Sequence, residues 1–338
     1  MLTIAVDAMG GDIGVEATLP ACAEFLKNYK DVKIILVGDE KKIENHSAYH
    51  NFISKPDTNI EVIHTDEMIS MDDSIEISLR KKRKSSMRLA IEQVKSHHAN
   101  ICISSGNTGA LMAVSHYLLK TISGIDRPAI ATFLPNQKKS STAVLDLGAN
   151  ADCSAYNLLQ FAYMADIMVR AVSNINSPTI GLLNIGEEFI KGNDVVKQAG
   201  QLLRESGLNF YGNVEGNDIF KGTTDIVVCD GFVGNIALKA AEGVAKMIST
   251  SIKESFSKNI LTKISALCSY NILKQIRSSF DHRRYNGAIL LGLNGLVIKS
   301  HGSADKTAFF HALEYAYRAS KYNMIEQMQN RFNIANSI

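Results

Sequence analysis

The segment "LLNIGEEFIKGND", residues 182–194, nearly contains a phosphate-binding loop. A Walker A loop has a glycine, four residues, a second glycine, a lysine and then serine or threonine. Here Gly186 is followed by four residues and then by Lys191, Gly192 and Asn193, so the second glycine and the lysine are exchanged. The lysine ammonium at this place can bind a phosphate or a developing oxyanion. The alternative is a surface lysine that pairs with a glutamate one helical turn before it.

Four more loops follow short apolar runs and are rich in small and polar residues. They are "AVDAMGGD" (5–12), "SSGNTGA" (104–110), "LDLGAN" (145–150) and "VVCDGFVGN" (227–235). Glycine lets the backbone approach a ligand closely, and the free N–H groups at a helix start favour an anion. One such loop more often serves only to connect the chain, but five together predict a site for an anionic ligand. No GxGxxG motif follows the first strand, so a dinucleotide fingerprint is absent.

In an open α/β sheet, ligands bind outside the carboxyl ends of the strands, so the residues of these loops are the predicted ligand contacts. His301, in the strand-end segment "IKSHG", is a further candidate that can donate a proton, although a structural role is favoured. The predicted ligand contacts are Asp7, Gly10, Gly11, Asp12, Ser105, Gly106, Asn107, Thr108, Gly109, Asn150, Gly186, Glu187, Asp230 and His301.

Six acidic residues at the strand ends raise the question of a metal site. Helix capping and pairing with basic side chains is the favoured interpretation, so neither a metal nor an organic cofactor is predicted. Cys102 and Cys229 lie inside apolar runs and are predicted to be core residues, and no Ser-His-Asp or Cys-His signature emerges. The six acidic residues are Asp7, Asp12, Asp146, Glu187, Glu188 and Asp230.

The elements that must position these loops are alternating strands and helices. The strand-like runs are almost continuously Val, Ile, Leu and Ala, which is typical of strands covered on both faces. Helical patterns at 153–173 and 194–206 lie between such runs. This alternation predicts an α/β fold with a doubly wound, mostly parallel sheet, formed by residues 1–338 as a single domain.

Residues 244–284 depart from this rhythm and are predicted to form a protruding helical insertion. Apolar residues recur there every three or four positions, in one helix through 248–264 and a second through 267–280. Between residues 246 and 284 eight basic residues face two acidic ones, a local net charge of +6. A basic amphipathic segment of this kind favours contact with a membrane surface, for which Phe256 and Ile260 are candidates. Helix packing in a dimer explains the pattern equally well.

The bulk composition is that of an ordinary globular protein, with 46% hydrophobic and 21% charged residues. The net charge of +2 gives no reason to expect a nucleic-acid partner. Five widely spaced cysteines without a CxxC pair indicate reduced thiols in the cytoplasm. The sequence has neither a signal-type leader nor an apolar run of about 18 residues, so we expect a soluble protein or one that only touches a membrane.

Taken together, the motifs identify a family. "AVDAMGGD", "SSGNTGALMA", "LDLGANADC", "LLNIGEEFIKGN", "VVCDGFVGN" and "LLGLNGLVIKSHG" occur in the order and spacing of the PlsX family of bacterial phosphate acyltransferases, which the chain resembles over residues 1–320. The resemblance implies a homodimer with a three-layer α/β/α fold related to phosphotransacetylases and to isocitrate and isopropylmalate dehydrogenases. It also implies that the 244–284 block is a protruding hairpin implicated in membrane contact or acyl delivery.

The implied activity is transfer of a long-chain acyl group from acyl carrier protein to inorganic phosphate. The acyl phosphate then serves a membrane glycerol-3-phosphate acyltransferase that makes lysophosphatidic acid. Within this reaction Lys191 is expected to bind the phosphate or the oxyanion, and Asn235 to donate a hydrogen bond to the thioester oxygen, with helix capping as the alternative for Asn235. The sequence departs from the family at Lys84, Asn286 and Ile289.

Acyl carrier protein is acidic, so the basic run "RKKRK" is expected to attract it. A solvated basic helix start is an equally good interpretation. The predicted contacts to the carrier protein are Lys81, Lys82, Arg83 and Arg88. Alternative functions are a short-chain acyl-CoA phosphotransacylase, a dehydrogenase of the related fold and a non-catalytic membrane adaptor.

Overall fold

The computed structural model describes residues 1–53, 59–271 and 282–335. Its strands are β1 (Leu2–Asp7), β2 (Val32–Gly38), β3 (Ile60–His64), β4 (Ile101–Ser104), β5 (Ala129–Pro135), β6 (Ser141–Leu145), β7 (Ile180–Leu183), β8 (Phe210–Val214), β9 (Ile226–Val228), β10 (Ala288–Leu291) and β11 (Leu296–Lys299). Its α-helices are α1 (Val15–Asn28), α2 (Glu40–Asn45), α3 (Ile75–Arg80), α4 (Ser86–Lys95), α5 (Thr108–Leu119), α6 (Ala155–Ser173), α7 (Asp194–Glu205), α8 (Gly216–Lys221), α9 (Gly231–Ser257), α10 (Ile260–Cys268), α11 (Lys306–Ser320) and α12 (Met324–Ala335).

The strands form one sheet in the order β3-β2-β1-β4-β11-β10-β5-β6-β9-β7-β8. The five strands from β3 to β11 pair in parallel, and so do the four from β6 to β8. Between these two groups, β10 pairs antiparallel with β11 and β5, and β5 pairs antiparallel with β6. The sheet is therefore mostly parallel, as predicted.

The three antiparallel pairings have a consequence for the loops. Because the chain direction reverses three times between β11 and β6, the two parallel groups run in opposite directions. Their carboxyl ends consequently lie at opposite edges of the sheet. Of the strands that carry the predicted site loops, β1, β4 and β11 therefore end at one edge of the sheet and β6, β9 and β7 at the other.

Helices cover both faces of the sheet, which gives the three layers. On one face the core includes Phe25 of α1, Phe161 of α6 and Phe309 of α11. On the other it includes Ile91 of α4 and Val114 of α5. All four residues of β4 and of β7 are buried, which explains why these strands read as continuous apolar runs. The predicted α/β/α architecture is confirmed.

The first helix of the predicted hairpin (residues 244–284) begins earlier in the chain than predicted. The α9 helix runs without a break from Gly231, directly after β9, to Ser257, so the first helix of the hairpin is a continuation of a core element. The predicted single helix through 248–264 is wrong, because Asn259 caps a new helix by accepting a hydrogen bond from the Thr262 amide at 3.0 Å. Part of the predicted second helix, including Leu273, Ile276 and Phe280, lies outside the described residues.

The hairpin has an extensive exposed apolar surface. Its exposed apolar side chains are Val244, Met247, Ile248, Ile252, Ile260, Leu261, Ile264, Leu267 and Tyr270. Among the helices of the described residues, none combines the length and the apolar character needed to cross a bilayer.

Candidate active site

The loops at the carboxyl ends of β1, β4 and β11 form the first group, and those after β6, β9 and β7 form the second. A buried carboxylate at the end of β1 organises the first group. Asp7 is 1% exposed and accepts hydrogen bonds from the hydroxyls of Ser86 and Ser104, each at 2.6 Å. Burial raises the pKa of Asp7 above its ordinary value, and these hydrogen bonds offset only part of the rise. The carboxylate therefore joins β1 to β4 and to the start of α4, and its oxygens are occupied by structural contacts.

A buried lysine, which the sequence analysis did not single out, lies beside Asp7. Lys299 ends β11 and is 8% exposed, and its Nζ donates to the carbonyl oxygens of Ser105 (3.2 Å) and Ser300. Burial, with a smaller contribution from the charge of Lys239, lowers the pKa of Lys299 to about 8 against the opposing charges of Asp7 and Asp12. The available signal was a lysine at the end of the apolar run "LVIK".

The Ser105–Gly109 loop follows β4 and starts α5. The Asn107 side chain caps this helix, since it accepts from the Ala110 amide at 3.0 Å and donates to the Met71 carbonyl at 2.6 Å. The nitrogen and the oxygen of the Asn107 side-chain amide therefore both make structural hydrogen bonds. The first-turn amides of Thr108 and Gly109 have no acceptor among the described residues, as expected at a helix start. Ser105 is buried, whereas Thr108 is exposed.

The loop after β11 closes the first group. The Asp12 amide donates to the Gly302 carbonyl at 2.8 Å, which brings the first loop against this one. Asn286, a departure from the family pattern, donates to the Ser300 hydroxyl at 2.8 Å and accepts from the His301 amide at 2.9 Å. The Asn286 side chain therefore orders the His301 loop.

The second group lies at the opposite edge and is organised by Asp146. This buried carboxylate accepts from the amides of Ile130 (3.0 Å), Ala149 (3.1 Å) and Asn150 (2.7 Å). The Asn150 side chain also donates to Asp146, at 2.9 Å. Burial raises the pKa of Asp146, while these hydrogen bonds lower it. Asn150 is therefore a structural member of its loop.

The start of α9 packs directly on the Asp146 loop. Asp230 is the N-cap of α9 and accepts from the Val233 amide at 2.7 Å. Asn235 is the fifth residue of the helix and is exposed, so helix capping does not explain it. A Cβ at Gly234 would overlap the Asp146 carbonyl oxygen, which shows how closely the helix approaches the loop. Because Asn235 is exposed and is not the cap of the helix, its side chain is available to contact a ligand.

The third strand of the second group carries the Lys191 loop. The strands β7 and β9 are neighbours, so this loop lies beside the Asp230 loop. The Asn184 side chain donates to the Lys191 carbonyl at 3.1 Å, and the Lys191 amide donates to the Glu188 carbonyl at 3.1 Å. Across the described part of the chain, no acceptor or carboxylate pairs with the Lys191 ammonium. The pairing with Glu187 or Glu188 weighed above is not formed.

The α9 helix connects the two groups. Asn235 lies against the Gly148 segment of the second group, and Lys239 lies near enough to Lys299 of the first group for their charges to repel. Four residues separate Asn235 from Lys239, which corresponds to about 6 Å along the helix axis. The start of α9 therefore contacts the second group, and the charge of Lys239 on the same helix acts on Lys299 of the first group.

The predicted contact residues fall into these two groups of loops. The first group contains Asp7, Gly10, Gly11, Asp12, Ser105, Gly106, Asn107, Thr108, Gly109 and His301. The second group contains Asn150, Gly186, Glu187, Lys191, Asp230 and Asn235.

A substitution at Gly234 tests the packing of α9. Gly234→Ala is expected to cost about 1–3 kcal/mol of unfolding free energy, because the added methyl overlaps the Asp146 carbonyl oxygen. It should also lower turnover by displacing Asn235. Denaturant unfolding and steady-state kinetics measure both effects. Gly243→Ala on the same helix is the matched control, since a Cβ there meets no atom of the described residues within 4 Å. Equal behaviour of the two variants would contradict this packing.

The basic run lies next to the first group, between α3 and α4. Lys81, Arg83 and Lys84 are exposed, and Lys82 is partly exposed. Arg88 does not belong to this surface, because its side chain is 13% exposed and donates to Glu92 at 3.1 Å.

The cysteines in the strands are core residues, as predicted. Cys102 and Cys229 are buried, and burial raises the pKa of both thiols well above the ordinary value. Neither is therefore available as a thiolate nucleophile at neutral pH.

Comparison with known proteins identifies the family. The family described as "Fatty acid synthesis protein" matches residues 2–327. A phosphate acyltransferase of Polynucleobacter asymbioticus is 58% identical over 98% of both chains. One from Delftia acidovorans is 55% identical over 99% of this chain and 95% of the relative. These findings confirm the predicted family and the prediction of an acyltransferase.

Solved structures share the fold at low sequence identity. A phosphotransacetylase from Streptococcus pyogenes superimposes with a TM-score of 0.58 at 17% identity, covering 95% of this chain and 94% of the other. A 4-hydroxythreonine-4-phosphate dehydrogenase described as putative, from Salmonella typhimurium, gives a TM-score of 0.57 at 14% identity over 94% and 99% of the two chains. By its sequence and over nearly its whole length, the chain belongs to the fatty acid synthesis family whose relatives are named phosphate acyltransferases.

Proposed function

We propose that the protein transfers a long-chain acyl group from acyl carrier protein to inorganic phosphate, giving acyl phosphate and the free carrier thiol. The family membership supports this reaction class. The single structural observation that carries the residue assignment is the Lys191 ammonium, which has no partner among the described residues and belongs to the loop after β7, the strand next to β9.

The reaction requires three contributions from the site. A phosphate oxygen attacks the thioester carbonyl carbon, so the phosphate must be held against the acyl group. The tetrahedral intermediate places negative charge on the carbonyl oxygen, which needs hydrogen-bond donors or a cation. The C–S bond then breaks, and the pantetheine sulfur leaves with the electron pair and takes up a proton. Phosphate is itself the nucleophile, so the reaction does not need the buried cysteines.

The second group of loops supplies the oxyanion contacts in this proposal. Lys191 provides the positive charge, and the Asn235 amide provides a hydrogen-bond donor on the first turns of α9. Asp146 and Asp230 act as positioning residues, because they hold the loop and the helix start on which Asn235 lies. The first group supplies free amides at the start of α5 for the phosphate.

The test is a direct product assay. The protein is incubated with palmitoyl-acyl carrier protein or with acyl-CoA, each with and without phosphate, and acyl phosphate is trapped with hydroxylamine. Phosphate-dependent hydroxamate from the carrier-protein substrate is the expected result. Product from short-chain acyl-CoA alone would replace the proposal by a phosphotransacylase, and no product from either substrate would favour a non-catalytic adaptor.

We further propose that acyl carrier protein docks on the basic run beside the first group. Lys81, Lys82, Arg83 and Lys84 form an accessible positive surface that suits an acidic partner. Replacing Lys81 and Arg83 by glutamate should raise the KM for the acyl carrier protein and leave that for phosphate unchanged. The same change to glutamate at two exposed lysines outside this run, Lys197 and Lys138, is the control, and an unaltered KM in the first variant would contradict this docking surface.

We also propose that the protein is a cytoplasmic homodimer that contacts the membrane through its hairpin. The apolar residues of α9 and α10 are exposed, and the lysines between them suit an anionic lipid surface. Peripheral contact would place the acyl phosphate near the membrane glycerol-3-phosphate acyltransferase that consumes it. Phe256 is partly buried, so Ile260, at 75% exposure, is the stronger contact candidate.

Ile260→Glu tests the hairpin proposal. It should weaken binding to vesicles of phosphatidylglycerol and phosphatidylcholine by about tenfold or more, because an isoleucine contributes about 1.5–3 kcal/mol when it is fully buried. Co-sedimentation measures the binding, and sedimentation velocity of the same variant measures the dimer. Tyr211→Glu, at an exposed aromatic residue outside the hairpin, is the control. Unchanged vesicle binding would contradict the membrane contact, and an unchanged dimer would contradict a role of this residue in dimerisation.

A further inference from the structure

Lys299 is a lysine in a place where lysines are rarely found. It is the last residue of β11, between β4 and β10 in the middle of the sheet, and its side chain is almost completely removed from solvent. Its ammonium donates to the carbonyl oxygens of Ser105 and Ser300, which belong to the loops after β4 and β11. The side chain thus ties together the two loops that border the start of α5.

The contacts of Lys299 leave its binding capacity unfilled. A lysine ammonium has three N–H donors, and the two carbonyl groups use two of them. Within the described residues, no carboxylate lies within ion-pair distance of this ammonium, although the charges of Asp7 and Asp12 act on it. A buried cation without a direct counter-ion is costly, which favours an anion beside it.

The free amides at the start of α5 belong to the same loop as one of the carbonyl groups that Lys299 contacts. The Lys299 ammonium contacts the carbonyl of Ser105, and the loop that follows ends in the free amides of Thr108 and Gly109. Gly10 approaches this loop so closely that a Cβ there would lie 2.8 Å from the Gly106 amide nitrogen. The cation, the free amides and the close backbone approach are together what a phosphate-binding site requires.

We propose that Lys299 binds the inorganic phosphate substrate at the Ser105–Gly109 loop, through its third N–H, and that it holds this loop against the His301 loop. The inference rests on the proposed function, because it assigns the binding site of that reaction's second substrate. In this assignment Lys299 binds the phosphate and Lys191 binds the thioester oxygen.

The first test separates the two substrates. Lys299→Met keeps the length of the side chain and removes the charge, and we expect the KM for phosphate to rise about 10- to 100-fold, the effect of losing a charge-assisted hydrogen bond. The KM for the acyl carrier protein should stay within about twofold of wild type, because Lys299 is assigned to phosphate and not to that substrate. Lys33→Met is the control, because Lys33 lies on β2 and pairs with Glu61 at 2.7 Å.

The second test uses pH and also serves if Lys299→Met fails to fold. Because burial lowers the pKa of Lys299 to about 8, wild-type kcat/KM for phosphate should fall as the pH rises through that value and the ammonium loses its proton. Lys299→Arg keeps its charge, so this alkaline decrease should disappear in the variant. The charged groups that face Lys299 are Asp7, Asp12 and Lys239, and they are the same in both proteins.

The outcomes distinguish this inference from the proposed function. If wild-type protein forms no acyl phosphate, the proposed function fails, and binding of inorganic phosphate to wild type and to Lys299→Met is then compared by calorimetry. If wild type is active and folded Lys299→Met has an unchanged KM for phosphate, the inference is overturned. If kcat/KM for phosphate decreases in the same way at alkaline pH in wild type and in Lys299→Arg, the inference is overturned as well.

Discussion

Lys191→Met is expected to lower kcat for acyl-phosphate formation by about 10²–10³, the loss that follows removal of one oxyanion-stabilising group. The physical reason is that the ammonium has no partner among the described residues, so its charge is available to the oxygen that becomes negative in the transition state. The KM for phosphate should change little, because Lys299 is proposed to bind that substrate. Steady-state kinetics with varied phosphate and varied acyl carrier protein measures both constants.

Lys197→Met is the matched control for Lys191→Met. Lys197 is an exposed lysine on α7, six residues further along the chain, and the same substitution there should leave kcat unchanged. The Lys191 backbone contacts with Asn184 and Glu188 do not involve the side chain, so we expect the variant to keep its melting temperature. A folded Lys191→Met protein with wild-type turnover would refute the catalytic role.

The sequence was sufficient to predict the layers of the fold and the positions of the loops. Continuous apolar runs such as "ICIS" are buried on both faces in the structure, because helices cover each side of the sheet. The helices predicted at 153–173 and 194–206 begin at Ala155 and Asp194, each after a capping side chain. These features depend on residues that are close together in the chain, so the sequence alone predicts them.

The placement of the loops relative to one another could not be read from the sequence. It depends on the three antiparallel pairings around β10 and β5, which involve residues far apart in the chain. Lys299 was missed for the same reason. A lysine at the end of an apolar run looks exposed until strand order places it between β4 and β10. For Asn107 the structural role as a cap is the one observed, whereas for Asn235 the cap is supplied by Asp230.

The second large effect is expected at Asn235. Asn235→Asp keeps the size of the side chain, but replaces the amide donor by a carboxylate that repels the developing oxyanion. We expect kcat to fall by about 10²–10³ or more, since one donor is lost and a like charge is added. Helix stability should change little, because Asn235 is exposed and Asp230 remains as the N-cap. Turnover and thermal unfolding of the same preparation measure the two quantities.

Asn209→Asp is the control for the added charge, because Asn209 is exposed and precedes β8, at the end of the strand away from the Lys191 loop. The pH dependence gives a further check. If repulsion by the carboxylate causes the loss, protonation should relieve part of it, so Asn235→Asp should recover activity relative to Asn235→Ala as the pH approaches the ordinary carboxyl pKa. Parallel pH profiles of the two variants would mean that only the donor matters, and undiminished turnover in both would remove Asn235 from the catalytic site.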